Sequence, residues 1–188
     1  MAAPKLCDDT TLADLVAALQ SGASDDIQQT DRLLAEYPDD PRLHFLRGSM
    51  LIGIGRPIEA LPALRKAVEL APDMAIARFQ LGFFLLTSGE PGEALSVWGP
   101  LALLADGHYL RLFAGGLTHL IRDEFEEAVR ALEEGIAVNS ENLPLNRDMG
   151  LIIEQIRNLQ RGDGPAEVGD VSATSLLLGQ LASKRTTH

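Results

Sequence analysis

The residues of this 188-residue chain that could do chemistry are four histidines, one cysteine and several paired carboxylates. Histidine is the side chain best placed to move protons near neutral pH or to ligate a metal. His44, His108, His119 and His188 have no partner at metal-ligand spacing, and neither an HExxH element nor a cysteine pair occurs. No metal and no cofactor are therefore expected. His119 instead reads as a hydrogen-bonded, partly buried side chain. A GxSxG elbow, a phosphate loop and a GxGxxG element are absent, and Gly53 and Gly55 of GIG read as helix-ending residues. Asp8-Asp9, Asp25-Asp26, Asp39-Asp40 and Glu133-Glu134 fall at expected helix starts or on a solvated face, where carboxylates are favoured. Nothing here predicts an enzyme.

The elements that carry these residues recur. Gly48, Gly82, Gly116 and Gly150 stand 34 residues apart, as do Ala60, Ala94 and Ala128, and Pro38 and Pro72. A fixed period of this size means stacked supersecondary units. The stretch from Pro41 to Met74 shows what each unit is. Leu43, Leu46, Met50 and Leu51 recur at helical spacing around Gly48. Asp40 then Pro41 is a start signal, Gly53 and Gly55 can end the helix, and Pro57 opens a second one. Its apolar positions are Ala60, Leu61, Leu64, Ala67, Val68 and Leu70, and it stops at Pro72. Gly48 and Ala60 supply the small residues that let two helices cross closely. A single pair cannot bury both of its faces, so neighbours must stack.

These residues resemble the tetratricopeptide repeat family. Gly48, Ala60, Ala67 and Pro72 match its pattern, with Leu51 and Leu64 in place of its aromatics. The next unit keeps Leu81, Gly82, Leu85, Ala94 and Trp98 but has Leu101 and Asp106 where a small residue and a proline are usual. The third keeps Gly116 and Ala128, with His119 and Ser140 at pattern positions. The resemblance implies an all-α, right-handed solenoid of antiparallel helix pairs over residues 9–160. A degenerate repeat at 9–40, with Asp14 where the glycine would stand, precedes repeats at 41–74, 75–108 and 109–142, and a capping helix at 143–160 follows. Residues 1–8 read as a loose N-terminus, with Thr10 or Thr11 capping the first helix. Pro62 and Gly99-Pro100 interrupt second helices; each is expected to be a tolerated bend on the outer face, and the alternative at Gly99-Pro100 is a shortened helix that changes the superhelix curvature.

Composition narrows the function. The formal charge of −11 lacks the basic face that nucleic acid requires, so no nucleic-acid partner is expected. No apolar run is long enough to span a bilayer, and the first residues lack a signal-peptide core, so a cytoplasmic protein is expected. With a single cysteine, Cys7, no internal disulfide can form.

The family's first helices line a concave groove. Carried over, the groove positions are Arg42, Phe45, Leu46, Ser49 and Ile52, then Ile76, Phe79, Gln80, Phe83 and Leu86, then Leu110, Phe113, Ala114, Leu117 and Leu120. Phe45, Phe79 and Phe113 are again 34 apart, which predicts a ladder of rings. Arg42 is the one basic residue among them, so the clamp that some family members place on acidic peptides is not expected. The resemblance implies a non-enzymatic scaffold, adaptor or chaperone whose partner is a protein or peptide with apolar anchors, held helix-in-groove. In size and layout the chain is also similar to type III secretion chaperones of translocator proteins. Another class of reading is a self-assembling structural subunit or a ligand-binding regulator. Residues 161–170, RGDGPAEVGD, read as a linker, and 171–188 as an apolar C-terminal segment. Leu176, Leu177, Leu178 and Leu181 of that segment are suited to self-association or to occupying a concave apolar surface.

Overall fold

A computed structural model describes residues 5–21 and 26–161. They form α1 (Asp9–Ser21), α2 (Asp26–Glu36), α3 (Pro41–Gly53), α4 (Pro57–Leu70), α5 (Ala75–Thr87), α6 (Pro91–Trp98), α7 (Tyr109–Ile121), α8 (Phe125–Val138) and α9 (Leu143–Gln160). A 3-10 segment, Gly99–Leu103, follows α6, and no strand occurs among the described residues. The fold class is the expected one, all-α and tetratricopeptide-like. Two compact units make up the chain, Met1–Leu81 and Gly82–His188, with the boundary inside α5. The expected linker and apolar segment lie beyond Arg161, outside the described residues.

The repeat survives down to single hydrogen bonds. Each first helix ends with a left-handed residue, Gly55 (φ 72°), Gly89 (φ 85°) or Asp123 (φ 59°), spaced like the glycines. Past it, Arg56, Glu90 and Glu124 donate their backbone N–H groups to the carbonyls of Leu51, Leu85 and His119. That is a Schellman closure three times over, and it satisfies carbonyls that a helix end leaves bare. The three glycines have a matching explanation. A Cβ on Gly48 would lie 2.7 Å from Leu64, one on Gly82 2.2 Å from the Trp98 indole, and one on Gly116 2.8 Å from Leu132. In each pair the covering side chain comes sixteen residues later, from the second helix. The degenerate repeat holds Thr30 at that position, fully buried.

Helix starts differ in chemistry. Asp40 caps α3 by accepting from the Arg42 N–H, with Pro41 as the first helical residue. His108 Nδ1 accepts from the Leu110 N–H at α7, and the Asn142 side chain accepts from the Leu145 N–H at α9. At α1 the cap is Asp8 rather than a threonine: its carboxylate accepts from the Thr11 N–H at 2.9 Å and hydroxyl at 2.8 Å. Its pKa is pulled below the ordinary value by those bonds, the backbone one foremost.

One expectation needs correction, and at one proline the alternative reading holds. Lys5–Asp8 is not loose: the Cys7 N–H donates to Asp40 at 2.9 Å, and Lys5 pairs with Glu36 at 3.2 Å over the Tyr37 ring. The two prolines also part company. Pro62 lies on the exposed side of an unbroken α4, where water can reach the Ile58 carbonyl that its missing N–H leaves unpaired. Gly99-Pro100 instead stops α6 after eight residues and tightens the chain into the 3-10 segment. Leu101, bulky where the pattern wants a small residue, is buried by that tightening.

Candidate binding surface

The implied groove residues begin with Arg42, and its donors are already engaged within the fold. Nε donates to Asp40 Oδ1 at 3.0 Å, Nη2 to Asp40 Oδ2 at 2.8 Å and to the Cys7 carbonyl, and Nη1 to Asp9 at 2.6 Å. The Asp40 side chain has no exposed surface (0%) and also receives the Arg42 and Cys7 backbone N–H groups. Burial works against its charged form, yet the Arg42 guanidinium and those N–H groups outweigh burial and hold the carboxyl below its usual range. Burial, aided by the charges of Asp8 and Asp40, pushes the Cys7 thiol up, which keeps it protonated and a poor nucleophile. The cluster is a clamp between the chain before α1 and the start of α3. The residues named it only in part, since Asp40 reads from the sequence as a helix cap and nothing more.

Beyond the clamp, α3 shows Phe45, Ser49 and Ile52 on one face, at spacings of four and three, each half-buried. Leu46 turns away into the cluster of Cys7, Leu15 and Leu43. On α5, Ile76 and Gln80 are half-buried. Phe79 is 0% exposed and Phe83 2%. The α5 run Leu81–Leu86 is buried without a break, as befits a helix apolar on all sides.

In α7 the implied positions go inward. Leu110, Phe113, Ala114, Leu117 and Leu120 are all buried. Phe113 lies edge-on to Tyr109 with ring centroids 5.9 Å apart, and it presses on α8 so closely that a Cβ on Gly135 would meet it at 2.5 Å. Gly135 thus answers Ala67, the small residue of the first full repeat. Of the three phenylalanines, only Phe45 keeps accessible surface; Phe79 and Phe113 have none. A side chain without accessible surface packs and cannot touch a partner. The partly accessible remainder of the implied face includes Phe45, Ser49, Ile52, Ile76 and Gln80.

Each described histidine is tied into local structure. His44 Nε2 meets the Pro38 carbonyl at 2.7 Å, His108 caps α7 and stacks on Tyr109, and His119 Nδ1 meets Glu124 at 2.5 Å. The partly buried, hydrogen-bonded state expected of His119 is what the structure shows. Arg78 repeats the His44 contact one period on, donating to the Pro72 carbonyl at 2.6 Å. Among the described residues no group of His, Cys, Asp and Glu could hold a metal ion. No described helix is long and apolar enough to cross a membrane.

One polar centre had no signal in the sequence. Buried Asn139 accepts from the Glu141 and Asn142 N–H groups and donates to the Asn142 carbonyl and the Asn146 side chain. Asn146 returns a bond of 3.0 Å to the Asn139 carbonyl. This amide pins the turn from α8 into α9, with donors and acceptors all used.

Comparison with known proteins finds likeness in structure alone. No family model matches the chain, and no curated protein does. MamA 41-end from Desulfovibrio magneticus RS-1 superposes with a TM-score of 0.58 at 15% identity, over 94% of this chain and 91% of its own. The MamA RS-1 ArsTM double mutant gives 0.57 at 15% identity, over 94% and 92%. At such identity the likeness speaks for the fold.

Proposed function

We propose that the protein is a non-enzymatic interaction scaffold that holds an apolar peptide or helix of a protein partner on the first-helix face led by Phe45 and Ile52. The observation that carries this reading is the apolar stripe on α3 that the packing leaves half-exposed, beside an arginine whose donors the fold consumes. An acidic peptide would need unengaged cations there, and Arg42 is held by two aspartates. Apolar anchors fit the stripe without displacing any ion pair, as in helix-in-groove recognition. The adaptable Ser49 between the two apolar residues can serve the partner's backbone.

The test is capture of partners by the immobilised full chain from extract of its own cells. Phe45→Glu and Ile52→Glu should each remove the captured protein, because a charge would have to be buried without a counterion. Ile58→Glu, on the exposed side of α4, is the control that should capture as before. Phe79→Glu and Phe113→Glu are unsuited, since both side chains are fully buried and the variants would unfold. Equal capture by all the variants would remove the α3 face from consideration.

A further inference from the structure

The half-exposed stripe on α3 has two unlike ends. Arg42, Phe45, Ser49 and Ile52 follow one another at spacings of three and four, so Arg42 and the carboxylates that hold it border Phe45. Acidic groups outnumber cations at that border. Asp40 caps α3 and exposed Asp39 precedes it; Asp8 caps α1, and Asp9 reaches Arg42 with a side chain 93% exposed. Against these carboxylates stands one guanidinium, which leaves a formal excess of three negative charges. The start of a helix contributes only about half a positive charge, too little to cancel it. The field is felt at Cys7, where burial first and then Asp8 and Asp40 push the thiol up. The far end of the stripe is neutral: Ile54 is 58% exposed there, and Arg56 pairs with Glu59 at 2.6 Å.

We infer that the occupant of the α3 face is a cationic amphipathic helix, with its apolar side on Phe45 and Ile52 and a lysine or arginine beside Asp9 and Asp39. This rests on the α3 reading proposed above and adds the chemistry of the partner. Phe45 and Ile52 lie about 10 Å apart along α3, at 1.5 Å per residue, which two apolar positions seven residues apart on a second helix match. Arg42 is one turn from Phe45. A cation one turn beyond the partner's first anchor therefore comes within the screening length of about 8 Å at physiological salt. No ion pair need break to receive it. Asp9 meets Arg42 through Oδ1, so Oδ2 can take a second cation while Arg42 keeps Asp40. An anionic helix would be repelled at the same place, and an uncharged one would gain nothing from it. Other described cations leave the border acidic. Arg47 is held by Asp31 at 2.6 Å, and Arg32 is exposed on the side of α2 opposite Thr30, whose hydroxyl meets Met50.

Fluorescence anisotropy on the full chain tests this with two labelled helical peptides of about five turns. Both carry leucine on one face; the other face is lysine in one peptide and glutamate in the other. At about 150 mM salt the lysine peptide should bind at least about tenfold more tightly. Asp9→Asn/Asp39→Asn should weaken its binding about three- to tenfold. Glu126→Gln/Glu127→Gln, which removes the same charge from exposed positions on α8, should leave it unchanged. Phe45→Ala should weaken it as well, with circular dichroism showing that every variant is folded. Equal affinity for the two peptides, or no binding of the lysine peptide, overturns the inference. So does an equal loss in the two double variants, which would mean attraction by net charge alone. If Phe45→Ala weakens both peptides while lysine brings no advantage, the charge inference fails and the α3 reading stands. If Phe45→Ala weakens neither, the α3 reading fails and this inference with it.

Discussion

Gly115 and Gly116 are neighbours in α7 and meet opposite surroundings. A methyl group on Gly115 would enter open space, while one on Gly116 would strike Leu132 at 2.8 Å and the Ala128 carbonyl at 3.1 Å. Gly115→Ala should therefore stabilise the protein by about 0.5–1 kcal/mol, the gain expected of alanine over glycine within a helix. Gly116→Ala should cost about 1–3 kcal/mol through overpacking. Urea midpoints of the two variants give the answer, and a shift of the same sign in both would contradict the packing described here. Only Gly116 keeps the period of 34, so this much was legible in the spacing. The clamp was not, because it joins Cys7 to Asp40 across 33 residues and no repeat rule applies to it. Arg42→Ala should cost about 3 kcal/mol by leaving the Asp40 charge buried without its partner. The sign of the pH dependence follows. The folded carboxyl titrates below its ordinary 3.8, so its contribution is fully present above that value and is lost as pH falls through the folded pKa. Acid titrations followed by circular dichroism should show a shallower loss of stability below about pH 4 in Asp40→Asn than in the wild type.

Helices, ends and turns are where repetition and local chemistry compete. The starts at Pro41 and Pro57 and the closure at Gly55 follow from residue type and were readable, and Gly89 and Pro91 repeat them one period on. Asp123 was not, since only the 34-residue register shows that an aspartate must take the left-handed conformation there. How far the expected groove positions are buried was not legible, for a related reason. Family spacing says which way a first helix faces, but not how much of that face neighbouring side chains consume; Phe113 was lost to Gly135, and Leu46 to the first cluster. The two prolines give an element-scale prediction. Pro62→Ala should stabilise α4 by about 1–3 kcal/mol, since the Ile58 carbonyl regains its helical bond and nothing else must move. Pro100→Ala should gain less, because buried Leu101 and the 2.8 Å bond from Arg111 to the Leu104 carbonyl hold the 3-10 segment and its exit in place. Thermal scans of both variants compare the two. An equal rise would mean that Pro100 alone dictates the break.

For the molecule as a whole, charge is the dominant collective term. Asp and Glu number 27 against 16 Lys and Arg, and most of the described ion pairs are solvent-exposed, where each is worth little. Raising salt from about 10 to 150 mM should therefore increase the melting temperature, by screening self-repulsion more than it weakens those pairs. A fall in the melting temperature would show that the ion pairs outweigh the net charge. The all-α class was legible at this scale because a period is a global property that no single departure erases. The clamp at Cys7 also bears on time. A ribosome adding about 5–20 residues per second delivers Asp40 some seconds after Cys7. Until then Asp40 and Leu43 are missing from the surroundings of Cys7, and afterwards it has almost no surface. A thiol-reactive dye added at intervals during refolding would turn that single sulfur into a clock, recording when the first turns of α3 close over the chain that was made before them.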